Sequence, residues 1–305
     1  MSQRVVIGIA SCRRPRMLGR CLDSIAALSL PQDAEVAVVV VDNDAGGSAR
    51  PVCAQRQARF PLPLHYVQEP VRGISSARNR AITTALERAA DLLAFIDDDE
   101  QADQAWLQRL CERYRAAAVD IVAGPVIPVN EGEPLPADPR PGKSIASGET
   151  PRHVAAGNVL FSTRLVAQTG LRFDPYFNLI GGEDFDFFQR AREHGATAVW
   201  EAGAILYEWV PASRRTTRYQ FFRHYSGAIN AVLRVRRRRG WLRAWLRFLP
   251  KVLGKLLGSL MLLPGAMIDH GQARRELIKR SAAALGYCSA LCGVIAQRYR
   301  HIEGQ

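Results

Sequence analysis

Residues 35–42 read EVAVVVVD, an apolar stretch that never alternates with polar positions. A strand with one wet face would alternate. A continuous β-branched run must be covered on both faces, the condition of a strand inside a mostly parallel sheet with helices on either side. RVVIGIA (4–10), LHYVQ (64–68) and LLAFID (92–97) repeat the pattern. Between them Leu18, Cys21, Leu22 and Ile25 share one helical face behind Pro15, which suits a first helical turn. A second helix is predicted from a cap at Ser75 or Ser76 to about Ala90, and a third from about Asp103 to Ala118. A short strand, DIVAG, follows. After a Pro- and Gly-rich loop over 125–153 come VAAGNVLFS, a helix after Thr163, a helix opened by GGEDFDFF, and strands around 196–200 and 204–209. Strands alternating with helices predict an α/β fold: a Rossmann-like, mostly parallel mixed sheet with right-handed crossovers.

Two of the runs stop on acidic residues. Asp42 is followed by Asn43 and Asp44, and Asp97, Asp98, Asp99 and Glu100 close the other. In parallel sheets ligands bind beyond the carboxyl ends of the strands, where both stretches fall. A solvated turn explains an isolated acidic triplet, and Asp at a strand end commonly caps a turn. Behind the buried LLAF, however, grouped carboxylates suit Mg²⁺ or Mn²⁺ shared with phosphates. GISSARNRA (73–81) sets Arg78 and Arg80 near a helix start, which the helix dipole disfavours for cations. Arg78 therefore either meets a phosphate or pairs with the acidic cluster. Glu183 and Asp184 stand in the first turn of the later helix, where the dipole alone would accommodate them, with Asp186 on another face.

Charge divides the chain. Of 41 Lys and Arg and 29 Asp and Glu, residues 211–305 hold 19 and 3, a net of +16, leaving 22 and 26, a net of −4, in residues 1–210. A domain over 1–210, with a nucleotide-binding half to about 124 and an acceptor half beyond it, is expected to precede a basic helical region over 211–305. The six cysteines form no C-x-x-C pair and no metal spacing, and free thiols are expected. No Ser/His/Asp or Cys/His set suggests a covalent intermediate. MSQRVVIGIAS lacks the apolar region of a signal peptide, which points to the cytoplasm.

Together VVIGIASCRRPRMLGRCLDSI, VVVVDNDAGGSA, RGISSARNRAI, AFIDDDE and GGEDFDFFQRA resemble, in order, the motifs of family 2 glycosyltransferases of GT-A type, most like the bacterial exopolysaccharide enzymes of succinoglycan biosynthesis. The resemblance covers residues 4 to about 210. It implies an inverting hexosyltransferase using a nucleotide-sugar, UDP by default, with Mg²⁺ or Mn²⁺ as cofactor. By the same resemblance Ser11 and Asp42 contact the nucleoside, Arg78 the diphosphate, and Asp97 to Asp99 form the DxD element. Asp99 is then the metal ligand, with Asp97 at the ribose or the metal, Asp98 beside them, Asp184 the general base and Glu183 positioning the acceptor. Three departures stand out: SCRRP replaces the usual opening, Glu193 stands where processive enzymes carry Trp, and Tyr207-Glu208-Trp209 fills the place of a metal-binding His. Glu208, His153 and His224 are candidates for that ligand. Single-sugar transfer is implied, to a saccharide acceptor on polyprenyl diphosphate. The alternatives are a nucleotidyltransferase using the same acidic site and a non-catalytic donor- or membrane-binding subunit.

In the basic region Arg243, Arg247, Lys251, Lys255 and Ser259 recur at every fourth position among Trp241, Trp245, Phe248 and leucines, with Pro250 expected to bend or break the helix. This pattern fits a helix lying on an anionic membrane surface, peripherally at the inner face. It carries no aromatic signature of nucleic-acid binding.

Overall fold

The computed structural model describes residues 2–137, 139, 145–268 and 271–296, without the side chains of 265–268. Part of the Pro-rich loop (138 and 140–144) lies outside the described residues. In chain order the first elements are β1 (Gln3–Ser11), α1 (Pro15–Ala26), β2 (Ala34–Asp42), α2 (Arg50–Gln57), β3 (Leu64–Gln68), α3 (Ile74–Glu87), β4 (Leu92–Asp97) and β5 (Glu100–Ala102). There follow α4 (Trp106–Ala117), β6 (Ile121–Ala123), β7 (Val126–Asn130), β8 (Val159–Ser162), α5 (Thr163–Thr169), α6 (Glu183–Glu193), β9 (Ala198–Trp200) and β10 (Leu206–Val210). The last two are α7 (Thr217–Ile268) and α8 (Gln272–Leu291).

Seven strands form one sheet in the order β3-β2-β1-β4-β8-β6-β9. β1 to β4 run parallel, and β8 is antiparallel to both β4 and β6. The side-chain period of two explains the unbroken apolar runs. Val5, Ile7 and Ile9 point into one core, with Leu18, Leu22 and Ile25 of α1 and Trp106 and Leu110 of α4. Val6 of the same strand points into the other, with Ala77 and Ile82 of α3 and Phe187 and Phe188 of α6. Burial of Ile7 and Ile9, both 0% exposed, contributes about 1.5–3 kcal/mol each.

A second sheet, β5-β10-β7, includes two strands that the sequence pattern did not suggest. β7 falls in the stretch expected as loop because Pro128 interrupts it. At the sheet edge, paired only with β10, that proline sacrifices no inner ladder bond. The caps expected of Ser75 and Ser76 are not made. Both lie inside α3, behind Gly73, and the Asn178 side chain accepts the Ser76 N–H at 2.9 Å instead. All six cysteines are free.

The described residues divide into two compact units, one of residues 2–179 and 183–210, the other of residues 180–182 and 211–296. In the second, α7 is interrupted at Gly240, whose φ of 81° is one that only glycine adopts readily, while helical backbone continues through Pro250. The break therefore falls ten residues before the expected proline. α8 packs on α7 so closely that a Cβ at Gly286 would lie 2.4 Å from the Tyr225 carbonyl oxygen. Phe248 turns inward onto Tyr287, with ring centroids 5.0 Å apart. Leu242, Leu246, Leu253, Leu257 and Leu260 face solvent, each more than half exposed. Among the described residues no helix is long and apolar enough to cross a membrane.

Candidate active site

Parallel register brings the strand ends together. Ser11 closes β1 opposite Asp42 of β2, and Ala10 pairs with Asp97 of β4. Immediately beyond, the chain turns through Asp98 and Asp99 into β5. The buried Ser11 hydroxyl donates to Asp98 Oδ2 at 2.8 Å. Arg14, at the start of α1, donates from one nitrogen to Asp98 Oδ1 at 3.0 Å and Asp99 Oδ2 at 3.4 Å. One guanidinium and one hydroxyl thus relieve the repulsion that the acidic triplet creates.

Asp42 is fully buried and its oxygens are well used. It accepts the Ala49 N–H at 2.8 Å and the Tyr66 hydroxyl at 3.1 Å, and the Asp44 N–H at 3.2 Å. The carboxylate holds the 43–49 turn that leads into α2.

Arg78 pairs with the acidic cluster, one of the two readings the sequence left open. From α3 it donates to Asp97 Oδ1 at 2.9 Å and, through its other terminal nitrogen, to Glu183 Oε1 at the start of α6. Only 6% of its side chain is exposed, and 3% of that of Glu183. Acidic stretches more than eighty residues apart therefore converge on one guanidinium. The left-handed backbone of Gly181 and Gly182 (φ 85° and 88°) turns the chain into α6. Asp184, the next residue, is half-buried, and its Oδ1 accepts the Phe185 N–H at 2.7 Å. Asp186 is committed elsewhere, pairing with Arg190 at 2.7 Å.

Burial dominates the electrostatics. It pushes Glu183 up to about 7 against the pull of Arg78, and Asp98 up to about 6 against that of Arg14. Glu100 is raised well above the usual carboxylate range by burial and by the charge of Asp97. Raised acids favour the folded state when protonated. Their contribution is whole below their ordinary values of 4.5 and 3.8 and is lost as pH rises through about 7 and about 6. Urea midpoints measured from pH 5 to 8 should show Glu183→Gln flattening the decline between pH 5 and 7. A slope identical to that of the unmodified protein would refute the assignment.

Of the other candidate ligands, Glu208 of β10 lies in register with Glu100 and so borders the cluster. His153 is exposed and lies against Phe185, with ring centroids 5.1 Å apart and the planes tilted by 41°. His224 belongs to the second unit. Among the described residues no group of three His, Cys, Asp or Glu is arranged to hold a metal. Arg14 and Asn158 escaped the sequence reading. Arg14 is a cation at a helix start, the same signal that marked Arg78. Asn158 donates to the carbonyls of Pro125 (2.8 Å) and Ala204 (2.7 Å) and accepts from the Trp106 indole (2.9 Å), with no sequence signal to announce it.

The model of the family described as glycosyl transferase family 2 matches residues 6–167. The chain is similar to the succinoglycan biosynthesis protein ExoM of Rhizobium meliloti (strain 1021), 35% identical over 214 residues, 68% of this chain and 67% of the relative. It is 26% identical to the glycosyltransferase AglE of Haloferax volcanii over 107 residues, 35% of this chain and 34% of that one. Among solved structures it resembles the mannosyltransferase PcManGT from Pyrobaculum calidifontis in complex with GDP-Man and Mn²⁺, with a TM-score of 0.65 and 17% identity over 95% of this chain and 88% of that one. S. aureus TarS gives a TM-score of 0.55 at 15% identity, covering 92% of this chain and 55% of TarS. At such identities the two structures show a shared fold, a mixed sheet flanked by helices.

Proposed function

The chain belongs to glycosyltransferase family 2, and from that membership we propose that it moves one sugar, with inversion, from a nucleotide-sugar to a saccharide hydroxyl. The product belongs to exopolysaccharide or another cell-surface glycan, the donor is a UDP-sugar, and the acceptor rides on polyprenyl diphosphate. The observation that carries this reading is the single guanidinium of Arg78 joining the end of β4 to the start of α6. It sets an acidic edge suited to a metal diphosphate beside the carboxylates suited to take a proton.

Ser11 and the turn held by Asp42 bound the nucleoside. Asp97 and Asp99 offer two carboxylates, the number that Mg²⁺ or Mn²⁺ takes when phosphate oxygens and waters complete its shell. Held there, such an ion would supply positive charge to offset that of the diphosphate. Solved neighbours of this fold were captured with GDP-Man and Mn²⁺, and with UDP or UDP-GlcNAc. Asp184 accepts the proton of the acceptor hydroxyl as its oxygen bonds to the anomeric carbon. The carbon–oxygen bond to the diphosphate breaks, and the nucleoside diphosphate leaves with the bonding pair. Arg78 offsets the charge that develops. Glu183, buried and held by Arg78, orients this edge of the site and leaves proton transfer to its more accessible neighbour.

The exposed leucines of α7 run beside Arg243, Arg247 and Lys251, all exposed. Such a face suits an anionic bilayer surface, each cation contributing about 1 kcal/mol. The enzyme accordingly works peripherally at the inner leaflet, where a lipid-linked acceptor presents itself.

A panel of nucleotide-sugars with Mn²⁺ or Mg²⁺ tests the reaction by the nucleotide released. Nucleoside diphosphate should appear, fall to background with chelator, and drop sharply in Asp99→Ala. Release of inorganic diphosphate instead identifies nucleotidyl transfer and ends the proposal.

A further inference from the structure

Residues 180–182 belong to the second unit, although the chain on either side of them belongs to the first. A side chain of α7 reaches them. Asn230 Nδ2 donates to the Ile180 carbonyl at 2.9 Å, and both residues are buried, 5% and 6% exposed. Asn230 stands on a packed stretch of α7. Its neighbours Ile229, Val232 and Leu233 are fully buried, and a Cβ at Gly286 of α8 would lie 2.8 Å from that of Ala228. The amide is therefore a fixed point rather than a mobile arm.

The turn that follows needs such a point. Glycine takes left-handed and extended backbone with similar ease, so Gly181 and Gly182 do not by themselves select one path. Nor can a side chain of their own brace them: a Cβ at Gly182 would lie 2.7 Å from Arg234 Nη1. Asp184 follows Gly182 by two residues, so an error of direction at the turn passes along the chain to its carboxylate. Stability does not account for the asparagine. Its Oδ1 is buried without a partner among the described residues. Leucine would exchange that orphan for an unpaired Ile180 carbonyl and add apolar contact, so the fold itself gains little from the amide.

We propose that Asn230 is a positioning residue of the transfer reaction: by holding the Ile180 carbonyl, it sets the direction in which the Gly181–Gly182 turn delivers Asp184. Because it acts through Asp184, its role rests on the reading of that residue as the general base. It adds a hold on the near side of the turn to the one that Arg78 gives Glu183 on the far side. The aim of the base is then set in part by a helix of the basic region, fifty residues further along the chain.

The test is a mutant cycle on the full chain, read as nucleoside diphosphate released from the nucleotide-sugar that turns over fastest. Asn230→Leu should lower turnover about ten- to hundredfold, the effect of misplacing a reacting group, with donor affinity unchanged. In Asp184→Asn the same substitution should change the residual release by less than about twofold, since nothing is left to position. Amide exchange, which needs no turnover, should rise at Gly181, whose N–H shares a peptide plane with the Ile180 carbonyl. Asn230→Asp has the same shape with the donor replaced by an acceptor. It should repeat the pattern, and it carries the test if leucine disturbs α7. An equal factor in both backgrounds means a scaffold role and overturns the proposal, as does lost donor affinity or unchanged exchange at Gly181. Full turnover of Asp184→Asn by itself would instead overturn the reading of the base, and with it the role of Asn230.

Discussion

Asp184→Asn should lower turnover by a factor of about 10²–10⁴, the usual contribution of a positioned general base, and leave donor affinity unchanged. The substitution keeps the shape of the side chain. The amide oxygen still accepts the Phe185 N–H that Asp184 Oδ1 accepts now, so the start of α6 is preserved. What disappears is the ability to take a proton, together with about 0.3–1 kcal/mol of helix-dipole stabilisation. Rapid-mix measurement of turnover beside equilibrium titration of the nucleotide separates the two effects. A variant that turns over as fast as the parent removes Asp184 from the chemistry. One that also loses the donor makes it a binding residue.

The second large effect is expected of Arg78→Leu. Glu183 would then be buried without its partner, and its second oxygen already lacks a hydrogen bond among the described residues. Breaking a buried pair from one side costs about 3–5 kcal/mol, because the remaining charge is left uncompensated. In a unit of roughly two hundred residues this lowers Tm by roughly 6–20 °C. The Asp97 contact adds little, since 37% of that side chain is exposed and solvent screens it. The cost should shrink as pH falls from 8 to 5, because Glu183, already pushed up to about 7, then takes up a proton. The double variant Arg78→Leu/Glu183→Leu should recover most of the loss. A Tm drop independent of pH and unrelieved by the second substitution would mean that the pair is not what Arg78 supports.

What the sequence disclosed followed from periodicity and position. The unbroken runs of β1, β2 and β4 could only be buried twice over, and their acidic ends had to share one edge. Arg78 was marked by a helix start that repels cations. That it would meet Glu183 as well as Asp97 was not legible, because that depends on where α6 lands. The same signal at Arg14 passed unnoticed beside Pro15, whose own meaning was plain. β7 was hidden by Pro128, harmless only because of an edge position that no local pattern reveals. Asn158 works through two carbonyls and an indole brought together by the fold alone. The break expected at Pro250 is not made, because a proline can remain within a helix that packing supports.

Asn178 and Asn79 have one more implication. Asn178 accepts the Ser76 N–H, and a Cβ at Gly73 would lie 2.2 Å from its side chain. Asn79 exchanges two hydrogen bonds of 2.8 Å with the backbone of Phe173. The beginning of α3 is thereby stitched to residues 173–178, just ahead of the carboxylates that Arg78 meets. A reaction centre assembled from such distant stretches would ordinarily lose entropy each time its parts were ordered around a substrate. Here that ordering is done once, during folding, and little of it is left to the encounter with a donor.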